Sequence, residues 1–146
     1  MLSLAAAGAS LCVGCDKKES APAASSPAAK PELAESATVS LGTKLSDLVK
    51  AQATLAKDLA AVSDAKTSAV AVNRVTESMG QWLALVPSIE AAEDPDGILA
   101  NTANEAGKAL GANYQTALKT AEPFTDDPEV AEALEKLKAR QKELMK

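Results

Sequence analysis

The chain has 146 residues, 47% hydrophobic but only 2% aromatic, with a formal charge of −5, a sequence pI near 4.8 and no histidine. That length holds about one domain, and an acidic chain without a large basic cluster is poorly suited to nucleic acid. Without histidine there is no Ser-His-Asp or Cys-His arrangement, no Glu-x-x-His di-iron set and no histidine ligand for haem.

At the front, Leu2 to Val13 is a run of apolar and small residues. It is too short to cross a bilayer as a helix and has the length of a signal-peptide core. Cys12-Val13-Gly14-Cys15 follows at its end, then the charged Asp16-Lys17-Lys18-Glu19. This stretch resembles the lipobox of bacterial lipoproteins, in which a small residue precedes an invariant cysteine. Gly14 and Cys15 match the essential positions, while Cys12 stands where leucine is usual, with Leu11 adjacent. The resemblance implies that residues 1–14 are a signal peptide and that Cys15 is the first mature residue, carrying several acyl chains. It also implies a protein of the cell envelope, facing the periplasm or the cell surface. In some lipoproteins an aspartate at the position of Asp16 retains the protein in the inner membrane, and the sequence leaves inner and outer membrane open. The alternative for Cys12 and Cys15 is a C-x-x-C redox or metal pair, which would need a strand–helix context or two further ligands.

Residues 15–37 then read as the lipidated cysteine and a flexible, disordered tether. Pro22, Pro27 and Pro31 alternate with Ala and Ser in a composition too polar to fold. At about 3.1 Å per residue, a dozen such residues reach roughly 35–40 Å.

Residues 38–146 read as an all-α, antiparallel up-down four-helix bundle, with helices over about 40–63, 67–86, 96–121 and 128–145. In the first, Leu41, Leu45, Leu48, Gln52, Leu55, Leu59 and Val62 alternate steps of four and three, with Gln52 the one polar rung. In the second, Val72, Val75, Met79, Trp82, Val86 and Ile89 do the same in another register. Between the two sets Ser63-Asp64 supplies a cap and predicts a turn near 63–67, although one long helix with a stammer gives the same break. Pro87 predicts that the second helix ends near Val86.

Asp94-Pro95-Asp96 and Asp127-Pro128-Glu129 each combine an acid, a proline and another acid, the pattern of a helix start. The third helix carries Leu99, Ala103, Ala106, Leu110, Ala117 and Ala121, and the fourth Val130, Leu134, Leu137, Gln141 and Leu144. Inside the third, Ala103, Gly107 and Gly111 form a small-residue ridge. Such a ridge commonly lets a neighbouring helix approach closely, here the one containing Gly80; the alternative is a groove left open for a ligand or partner helix. Trp82 and Tyr114 are candidates for a pocket, though a lone aromatic at helical spacing is more often core.

Candidate chemistry is sparse. Glu93, Asp94 and Asp96 are the candidate cation ligands, and Asp94-Pro95-Asp96-Gly97 resembles part of an EF-hand loop without its third aspartate or final glutamate. The competing expectation is that this acidic loop pairs across the bundle end with the bases of helix four, Lys136 to Lys146. No catalytic residue and no cofactor are predicted. The sequence therefore reads as a non-catalytic, lipid-anchored envelope protein that touches the membrane through Cys15 and binds or positions a protein partner. The alternatives are a tether to the cell wall through Lys146, as in murein-linked helical lipoproteins, and a small-ligand or metal-binding bundle.

Overall fold

The structure, a computed structural model, describes residues 37–146. Among them, helix α1 covers 37–60, α2 Ala65–Ala91, α3 Ile98–Ala121 and α4 Pro128–Leu144, with a 3-10 turn at Glu122–Phe124 and no strand. The described residues form the all-α four-helix bundle that the apolar spacing predicts. Its direction alternates: Asp58 meets Arg74, Gln52 meets Ser78, and Leu41 shares a cluster with Ile89, as α1 and α2 run antiparallel.

Local sequence sets the boundaries. Asp64 Oδ1 accepts the Thr67 N–H at 2.7 Å, and Thr67 Oγ1 accepts the Asp64 N–H at 3.2 Å, a reciprocal capping box. The donated N–H and hydroxyl of Thr67 hold the Asp64 carboxyl below the usual aspartate range. The break after Val62 is therefore a turn and not a stammer, and it takes residues 61–63 that the spacing assigns to α1. Asp94 accepts N–H groups from Leu99 at 3.1 Å and Ala100 at 2.8 Å, while Gly97, at φ 69°, supplies the left-handed residue that turns the chain into α3. Asp127 accepts from Glu129 at 2.9 Å, with Pro128 in the first turn of α4, where no N–H is needed.

The end of α2 differs from expectation. The helix passes through Pro87 and continues to Ala91. Proline removes the N–H that would serve the Leu83 carbonyl and its ring crowds that carbonyl, and Pro87 itself is exposed. Leu85, Ile89 and Ala92 pack meanwhile against Leu41, Leu45, Leu99 and Ala103. Burial of that last apolar face outweighs one lost hydrogen bond.

Thr38–Lys146 forms one compact unit with two apolar clusters. The larger one joins Leu55, Leu59, Val72, Val75 and Met79 to Leu110, Ala117, Val130, Leu134 and Leu137. The smaller one, around Leu41, Leu45, Leu99 and Ala103, joins the first described turns of α1 to the end of α2 and the start of α3. Of α2, α3 and α4, the pair α2–α4 shares the broadest interface and α2–α3 the next, while α3 and α4 touch little. Gly80 faces the Arg140 guanidinium of α4, where a Cβ would stand 3.7 Å from Cζ, and not the small-residue ridge of α3.

Candidate functional site

The helices are unequal in length, and this leaves a concavity among the described residues. α4 has 17 residues against 27 in α2 and 24 in α3. From the level where Gly80 meets Arg140, α2 continues to Ala91 while α4 ends at Leu144. At 1.5 Å per residue, α2 outruns α4 by roughly 10 Å. The seam between α2 and α3 is thus covered by α4 over its first part and open beyond it.

The open part is a groove of about 470 Å³. One wall is Trp82, Val86 and Ile89 from α2, and the other is Ala103 and Gly107 from α3, with Glu90, Asn104 and Lys108 lining it too. Gly107 lies beside the indole, where a Cβ would come 3.6 Å from Trp82 Cζ2. Ala103 is buried at 7% exposure and packs in the same cluster as Leu41, so the α3 wall is backed by α1. Gly111 is apart: it is exposed, and a Cβ there would meet nothing within 4 Å. Of the three ridge positions, the fold thus places Ala103 and Gly107 in the groove and leaves Gly111 outside. Gly107 meets the Trp82 side chain, and Gly111 meets no neighbour.

Spacing alone assigns the α2 wall to the core, since Trp82, Val86 and Ile89 continue the rungs of Val75 and Met79. All three are only half-buried. The signal that marks them is a mismatch: α2 has more apolar rungs than α4 has residues to cover.

The acidic loop is a capping device. Both carboxylate oxygens of Asp94 accept backbone N–H groups of α3, and Glu93 and Asp96 point to solvent as exposed residues. No group of three or more His, Cys, Asp or Glu side chains suited to a metal occurs among the described residues. The expected pairing of this loop with the bases of α4 does not occur. Three of those bases pair within α4 instead: Lys136 with Glu132 at 2.7 Å, Lys138 with Glu135 at 3.7 Å and Arg140 with Glu143 at 2.6 Å. The hydrogen bond and charge of Lys136 hold the Glu132 carboxyl below its usual range. The reason is again length, because α4 stops short of the loop.

Inside the bundle, Gln52, Ser78 and Asn113 form a buried polar network across α1, α2 and α3. Gln141, the other glutamine at a core-like rung, is only half-buried. No helix among the described residues is long and apolar enough to cross a membrane. Cys12, Cys15 and the Pro/Ala/Ser segment lie outside the described residues. No protein-family model, curated protein or solved structure matches the chain.

Proposed function

We propose that the chain is a non-catalytic, lipid-anchored protein of the bacterial cell envelope whose bundle seats an amphipathic helix of a partner protein in the Trp82 groove. The anchor rests on the lipobox-like Cys12-Val13-Gly14-Cys15, with acyl chains on Cys15 giving membrane affinity of about 0.8 kcal/mol per buried CH₂. The binding half is carried by one observation, the continuity of the groove with the seat of α4. Leu137 and Leu144 of α4 join the cluster that contains Met79, Leu110 and Trp82. The same seam then continues uncovered between Val86 and Ala103. A surface that already accepts one amphipathic helix has the width and apolarity for another. Glu90 on α2 and Lys108 on α3 favour an occupant with basic residues toward α2 and acidic residues toward α3.

Two measurements test the two halves separately. Mass spectrometry of the protein from its native envelope should find the mature N-terminus at Cys15 with acyl mass. A chain retaining Met1 and two free thiols would sink the anchor. A photocrosslinker at Val86 should trap, in cells, an amphipathic segment of a second polypeptide that the same group at Glu135, on the exposed side of α4, does not trap. Equal trapping at both positions, or none, would refute the groove.

A further inference from the structure

We infer that Gln52, Ser78 and Asn113 act as an axial lock, selecting one sliding position of α1 against α2 and α3 and thereby holding the α3 wall of the groove in place. The inference stands whatever the bundle binds. The seam of α1 is almost pure leucine: Leu41, Leu45, Leu48, Leu55 and Leu59 are all buried. A slide by seven residues, about 10.5 Å, lays Leu41 where Leu48 was and Leu48 where Leu55 was. Apolar packing alone therefore distinguishes such positions poorly.

The polar rung does distinguish them. Gln52 is 1% exposed, Ser78 7% and Asn113 4%. Gln52 Nε2 donates to Ser78 Oγ, and Asn113 Nδ2 donates to Gln52 Oε1 at 2.7 Å and to the Gln52 carbonyl at 3.0 Å. After a heptad slide, Ser78 and Asn113 would face Leu45 or Leu59, and Gln52 would sit in a leucine site. Three buried polar groups would lose partners at once, which low-dielectric surroundings make costly. The same slide would carry Leu41 and Leu45 away from Leu99 and Ala103, and Ala103 is a wall of the groove. Gln52 is thus a positioning residue for a site whose α2 wall begins one turn beyond Ser78.

The test uses the full chain and its single tryptophan. The triple variant Gln52→Leu/Ser78→Ala/Asn113→Leu fills the same sites with apolar side chains of similar shape and removes the polar selection. It should stay helical and melt no lower than the parent, while the Trp82 indole N–H signal, single in the parent's nitrogen–proton spectrum, splits or broadens. The single variant Gln52→Leu should split it as well. One sharp indole signal at the parent position in both variants would overturn the lock. An unfolded triple variant would also overturn it, since loss of selection predicts loss of uniqueness and not of folding.

Discussion

A single side-chain amide of Asn113 on α3 serves two acceptors of Gln52 on α1, the side-chain oxygen at 2.7 Å and the main-chain carbonyl at 3.0 Å. Removing it leaves a buried acceptor unpaired, so Asn113→Ala should lower unfolding stability in urea by about 1–3 kcal/mol. Gln141 offers the contrast. It is half-buried and has a route to water, so Gln141→Leu should change stability by less than about 0.5 kcal/mol or raise it slightly. Equal losses at the two positions would mean that burial of the network carries no special cost.

The two interior glycines of α3 separate by their neighbours. Replacing a helical glycine by alanine gains about 0.5–1 kcal/mol from the unfolded state and helix propensity. Gly111 has open space, and Gly107 has Trp82 Cζ2 at an ordinary contact distance of 3.6 Å, so both alanine variants should be stabilised. Only Gly107→Ala should shift the fluorescence of Trp82. A shift from Gly111→Ala would place that glycine in the groove after all.

Pro87 interrupts the hydrogen bonding of α2 without serving any visible turn, because the helix continues to Ala91. Pro87→Ala restores the donor to the Leu83 carbonyl and should stabilise the chain by about 1–3 kcal/mol, seen as a higher urea midpoint. A loss of stability would show that the proline helps to shape the end of α2.

The capping box gives a pH signature. The Asp64 carboxyl is held below its usual range in the folded chain, so the unfolded chain takes up a proton more readily at that position. Its contribution is fully present above the ordinary aspartate pKa and is lost as pH falls through the folded value. Asp64→Ala should therefore lower the melting temperature by a few degrees at neutral pH, and the difference should shrink in acid below about pH 4. A difference that stays constant with pH would assign the cap's effect to geometry alone.

Much of this fold is legible residue by residue. The rungs of α1 give its buried face, and Asp64, Asp94 and Asp127 give three helix starts, because caps and periodicity are local properties. The end of α2 is not local. Pro87 argues for a stop, and only the packing of Ile89 and Ala92 on Leu41 and Leu99 decides against it. The groove is legible in half: Ala103 and Gly107 stand out as small residues, but periodicity cannot say whether a rung such as Trp82 has a helix over it. That depends on how α4 aligns with α2, which brings Gly80 beside Arg140 and is written in neither segment alone.

The shortness of α4 also divides the chain into regions that open at different cost. Around Met79 and Leu137 four helices surround one another, whereas Leu41, Leu85 and Leu99 belong to a three-helix layer with a smaller apolar cluster. Amide protons near Leu85 and Leu99 should therefore exchange with solvent through partial opening, well before those near Val75, Leu110 and Leu137, which wait for global unfolding. Residue 37, the first described residue of α1, lies beside the smaller cluster, so force applied there should part the three-helix layer first. The four-helix section would keep its shape while that end gives way.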